Sequence, residues 1–145
     1  WNAVNSIPIM HLAILIPAVV TAAVFDWQSR RIPNRLTVVV AIAGIVHLAI
    51  EHSAASALGG LGQGVIAGLA CTPIYLLRGM SAGDVKLISA TSIWWTTSQL
   101  LIALASTAIV GAILAVIYMC LTRGATHVPY AIAIAMSTVG TALTV

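Results

Sequence analysis

Six apolar runs divide this chain almost from end to end, and they constrain its fold more than any other feature. The runs are Ile7–Phe25, Leu36–Ile50, Leu58–Leu77, Val85–Ser98, Gln99–Leu121 and Pro129–Val145. A bilayer core about 30 Å thick is crossed by about 20 apolar residues in a helix. Lipid offers no hydrogen bonds to the backbone, so a segment inside it must satisfy its own. A soluble domain of 145 residues could not hide a chain that is 61% hydrophobic and 6% charged, because much of any small globule faces water. The sequence therefore predicts an all-α, polytopic membrane protein of about six transmembrane helices, with residues 1–145 forming one membrane-embedded domain. The fourth run is the shortest, and the break after it, Thr96-Thr97-Ser98-Gln99, is the weakest of the five.

The cations orient this array. Arg30, Arg31 and Arg35 follow the first run, Arg78 and Lys86 flank the break between the third and fourth, and Arg123 follows the fifth. The intervening connections, Glu51 to Ala57 and Thr96 to Gln99, hold no Lys or Arg. In a six-span arrangement every cation falls on one side, which the positive-inside rule makes cytoplasmic. The formal net charge of +3 is spread among apolar segments rather than gathered into a patch, so nucleic acid is not an expected partner. Lys86, Arg30 and Arg31 read as topology anchors, or as groups that hold acids of a substrate or phosphates of membrane lipid. Cys71 and Cys120 lie inside apolar runs without metal spacing and read as packing residues. Gly60, Gly64 and Gly68 share one helix face and predict close packing of a neighbouring helix.

Ionisable groups at membrane depth are costly, so each acid needs a reason. There are three: Asp26, Glu51 and Asp84. Glu51 ends the second run beside His52 and reads as a solvated helix end. Asp26 ends the first run and Asp84 opens the fourth, which places both on the cytoplasmic side. Trp94 and Trp95 read as the outer interface of the fourth helix, about 15 Å of helix from Asp84, which would submerge that carboxylate. The plainer readings are that Asp84 caps its helix and that Asp26 pairs with Arg30 one turn on. Two nearby carboxylates also have a chemistry of their own. They resist ionising together and so share one proton. The ionised member draws a proton from water while the protonated one donates to a carbonyl oxygen. That scheme calls for no metal and no cofactor. Among the remaining polar residues, Asn34 is a candidate cap for the second helix. Gly83 leaves room for a substrate backbone or for a turn. His11 and His47 read as interior or interfacial residues, and His127 lies in the last cytoplasmic loop.

The segment Phe25-Asp26-Trp27-Gln28-Ser29-Arg30-Arg31-Ile32-Pro33-Asn34 resembles the first aspartate motif of type IV prepilin peptidases, an Asp followed by a basic residue and Ile-Pro-Asn. Gly79-Met80-Ser81-Ala82-Gly83-Asp84-Val85-Lys86-Leu87 resembles their second, the G-x-G-D motif followed by Val-Lys-Leu. Val128-Pro129-Tyr130 is similar to the segment that opens their last helix. Ser81 stands where the motif usually has its first Gly, and Ala131 where a Gly commonly follows Pro-Tyr. The resemblance implies an aspartyl peptidase of the prokaryotic inner membrane, its active site facing the cytoplasm. Such an enzyme cuts the leader from pilin-like precursors, with Asp26 and Asp84 at the catalytic positions. Larger members carry a cytoplasmic loop with paired cysteines and N-methylate the new terminus. This chain has no such loop and resembles the short forms of tight-adherence (Flp) pili and the archaeal preflagellin peptidases. Two rival functions fit the same residues: a proton-coupled transporter or channel using Asp84 as carrier, and an inactive pilus-assembly subunit that keeps the fold.

Overall fold

A computed structural model describes residues 9–29, 31–77, 79–121 and 130–144. They form six helices: α1 (Ile9–Ser29), α2 (Asn34–Glu51), α3 (Ala54–Leu76), α4 (Ala82–Ser92), α5 (Thr97–Leu121) and α6 (Tyr130–Thr144). The described residues are all-helical apart from short connections. Three helices, α2, α3 and α5, are long and apolar enough to cross a membrane. Their outward faces carry large apolar side chains such as Ile50, Leu58, Leu101 and Ile109, more contiguous exposed apolar surface than a water-soluble monomer tolerates.

Local chemistry starts and stops the helices. Pro33 holds extended backbone (φ −61°, ψ 128°) immediately before α2. Ser53 caps α3, its Oγ accepting from Ser56 N at 3.1 Å. The polar break at Thr96–Gln99 proves to be a reciprocal cap on α5. Thr96 N donates to Gln99 Oε1 at 2.9 Å and Gln99 N to Thr96 Oγ1 at 3.5 Å, which is the S/T-x-x-E/Q pattern of a capping box.

The fourth helix departs most from the sequence reading. It begins at Ala82, ahead of Asp84, and ends at Ser92. Its 11 residues rise only about 16 Å. The freed carbonyls at its end are satisfied from α3: Gln63 Nε2 donates to Ser92 O at 3.1 Å and to Trp95 O at 2.8 Å. A helix that stops among apolar neighbours needs such donors, because water is not there to supply them.

Trp94 and Trp95 do not face outward from the helices, as side chains of an interfacial belt would. They are buried at 4% and 7% exposure and fill the space beyond the short helix. The Trp94 indole donates to Val40 O at 3.0 Å and stacks on His47 with centroids 5.7 Å apart. The two indoles are thus no gauge of the depth of Asp84.

The expected glycine face is present, and α4 is the helix it receives. A Cβ on Gly64 would stand 2.8 Å from Ser89 O, and one on Gly60 or Gly68 would collide with Leu48 or Ser89. Helix α4 therefore sits against bare α3 backbone, with α2 and α6 as its other neighbours. Helix α1 packs on α6, and α6 on α5. One buried cluster gathers Ala22, Ile32, Ala67, Leu87, Ala131 and Ile134 from five segments of the chain. The candidate site is built on it.

Candidate active site

Helix α1 runs past Asp26 to Ser29, so Asp26 lies within the helix rather than at its end. Its side chain is 5% exposed. Ala131 N, in the first described turn of α6, donates to Asp26 Oδ2 at 3.4 Å. The first N–H groups of a helix lack intrahelical acceptors and carry its positive end, so a carboxylate suits them. Tyr130 fixes this approach: its ring lies over Gly111 of α5, where a Cβ would come within 2.6 Å. The contact to Asp26 comes from the backbone of residue 131, which an alanine supplies as well as a glycine.

Asp84 is 2% exposed and occupies the third position of α4. It does not cap the helix; Ser81 does. Ser81 Oγ accepts from Asp84 N at 3.2 Å, and Asp84 Oδ2 accepts from Ser81 N at 2.9 Å. This reciprocal pair is a capping box, and it holds the carboxyl in one orientation. The other oxygen, Oδ1, is buried and has no hydrogen-bond partner among the described residues. A buried polar atom left this way is expensive, and such atoms mark places where a ligand or water belongs. Asp26 lies within electrostatic reach of Asp84. Two buried carboxyls, carried by different helices, therefore lie toward one end of the bundle within reach of each other's charge.

The residues around them knit the two sequence motifs together. A Cβ on Gly83 would lie 3.3 Å from Ile32 Cβ, so this glycine admits the Ile-Pro-Asn segment against α4. Lys86 Nζ donates to Asn34 Oδ1 at 3.0 Å. Asn34 does not cap α2, as its type and place had suggested; the cap position belongs to Pro33 and has no side-chain bond. As the first helical residue, Asn34 turns its side chain to Lys86 instead. A cleft of about 650 Å³ opens here, lined by Phe25, Ser29, Arg31, Ile32, Pro33, Asn34, Ser81, Ala82, Gly83 and Lys86. Its lining includes the residue immediately before each aspartate. Arg31 is exposed on its rim. Arg30, Arg78, Arg123, His127, Val128 and Pro129 lie outside the described residues, as does the His11 side chain. Glu51 is remote, at the far end of α2, with its Oε2 3.4 Å from His47 Nε2.

Ser81 and Gln63 were not singled out as functional by the sequence reading. Ser81-x-x-Asp84 does match the [ST]-x-x-[DE] capping pattern and was legible on that ground. Gln63 left no signal beyond being a polar residue in an apolar run.

Long apolar helices mark an integral membrane protein, and it buries a pair of aspartates carried by separate helices. The sequence matches the type IV leader peptidase family over residues 13–116, a span that holds both aspartates, and the chain belongs to that family. No curated protein and no solved structure matches it.

Proposed function

We propose that this protein removes the leader peptide of type IV pilin-like precursors at the cytoplasmic face of the prokaryotic inner membrane, using Asp26 and Asp84 to drive attack by water. One observation carries the reading: a buried, unpartnered Asp84 Oδ1 beside a second buried aspartate on another helix. A water between the carboxyls would receive the bond that Oδ1 lacks. The ionised carboxyl takes a proton from this water as the oxygen attacks the scissile carbonyl carbon. The protonated carboxyl gives its proton to the carbonyl oxygen, forming a neutral tetrahedral diol. Collapse of the diol breaks the C–N bond, the first carboxyl returns its proton to the departing amine, and the second regains one from the diol hydroxyl. Both aspartates lie at one end of the bundle, which suits a substrate presented from one face. A proton carrier would need access from both.

The test is co-expression with a candidate precursor, followed by mass spectrometry of the product. A new N-terminus just before the precursor's apolar segment supports the proposal. An intact precursor beside well-expressed protein refutes it.

A further inference from the structure

The cleft near the aspartates adjoins a second cavity. Between α2, α3 and α4 runs a groove of about 520 Å³, and Asn34 and Lys86 line both spaces. Val38 of α2 and Leu61 and Val65 of α3 form its lips and are 52%, 44% and 54% exposed. The groove thus opens sideways, between the exposed apolar faces of two helices long and apolar enough to cross a membrane. It is lined on the α4 side by Val85 and Ala90, and by Ile93 just past the end of that helix. The depth follows from the bare Gly64 backbone, which lets α4 sit against α3. The walls are mostly apolar: of their two hydroxyls, that of Thr37 is spent on Asn34 O at 2.9 Å and the other belongs to Ser89 of α4. The charged group lies at the junction with the cleft, where Lys86 holds Asn34 with one of its three N–H donors.

We infer that this groove seats the start of the precursor's apolar helix; the inference rests on the leader-peptidase reading. The shape selects the occupant. Whatever fills the groove is apolar along its length and has one end delivered past Lys86 to the residues flanking Asp26 and Asp84. A precursor whose scissile bond immediately precedes an apolar helix has that arrangement. A lipid chain matches the walls but not the continuation into the cleft. Seating the helix beside α4 also brings the reacting bond to the site at high effective concentration, which is how remote binding lowers a barrier.

Two measurements on the full chain in membranes test this. A photo-crosslinking benzoylphenylalanine at position 65 should capture the precursor through its apolar segment, mapped by mass spectrometry. The same group at position 113 should not; Ile113 is 54% exposed on α5. Adducts to lipid alone at position 65 would overturn the inference. The second measurement compares the precursor with a soluble peptide that spans the scissile bond and lacks the helix. Val65→Trp, and independently Val38→Trp, should raise KM for the precursor at least tenfold more than for the peptide. Equal effects on both substrates would overturn the groove and leave the peptidase reading standing. Wild-type protein that cleaves neither substrate would overturn both.

Discussion

Replacing either aspartate by asparagine separates chemistry from structure at this site. Asp84→Asn preserves shape and keeps an oxygen that accepts from Ser81 N, now 2.9 Å from Asp84 Oδ2. The helix loses a charge-assisted bond and some interaction with its positive end, about 1 kcal/mol or less. Asp26→Asn similarly keeps an acceptor for Ala131 N, 3.4 Å away. Neither change opens a cavity. Catalysis is a different matter, because an amide neither takes a proton from water nor shares one with a second carboxyl. General acid and general base contributions are each worth about 10²- to 10⁴-fold, and a tenfold loss is about 1.4 kcal/mol of barrier. Each single variant should therefore lose at least about 10³-fold in cleavage while folding nearly as well as wild type. The double variant should be little worse than either single one, since groups that act as a unit are not additive. Glu51→Gln, at the far end of α2 beside His47, should keep most of its activity. The assay is the gel shift of a co-expressed precursor, with membrane levels of each variant checked by blotting. A well-expressed Asp84→Asn protein cleaving at near the wild-type rate would refute the two-carboxylate mechanism.

The other predictions probe the surroundings. Ser81→Ala removes the hydroxyl that caps α4 and should cost about 1 kcal/mol of stability, whereas Ser81→Gly should cost a few tenths; thermal melts in detergent compare them. Gly83→Val drives two branches into Ile32, already 3.3 Å from a single added Cβ, and should cost about 1–3 kcal/mol by overpacking, with a fall in activity that Gly83→Ala reproduces only in part. Single cysteines at positions 31 and 51, in a background lacking Cys71 and Cys120, should label from the cytoplasm and from outside respectively; cytoplasmic labelling of position 51 would invert the topology. Cleavage should survive EDTA, because the proposed steps use only carboxyls and water; loss on chelation with recovery on adding zinc would contradict them.

Where function was concerned, the sequence was most legible in its rarest residues. With so few acids in an apolar chain, Asp26 and Asp84 drew attention on energetic grounds, and the structure buries both at one end of the bundle. The Gly60/Gly64/Gly68 face was equally readable, since four-residue spacing maps directly onto one side of a helix. What escaped was long-range. Trp94 and Trp95 follow an apolar run and lie where an interfacial belt would be, and nothing local says that α4 has already ended. That ending depends on Gln63, 29 residues from Ser92 in sequence. Asn34 fits a cap by type and place, but its partner is Lys86, 52 residues away. Local rules describe caps and faces; they carry no information about which distant donor meets which acceptor.

The shortness of α4 bears on how the site is held. A catalytic group must be kept to within a fraction of an ångström, and elements tied by packing and hydrogen bonds do this better than loops. Helix α4 is tied at both ends, by the Ser81–Asp84 box at its start and by the two Gln63 bonds at its end. Along its length it rests on a glycine surface that allows little alternative spacing. Asp26 is set independently, through α1 and the first turn of α6. The two acids are thus positioned by separate elements, which meet near them in the cluster of Ala22, Ile32, Leu87 and Ala131. Leu87 and Ile32, one from each motif that carries a carboxyl, are both buried in that cluster. Apolar packing thus joins the two segments on which the proposed dyad depends. Ser81 adds a hydroxyl that fixes Asp84 to the start of its helix, and Oδ1 is the oxygen that the capping box leaves over.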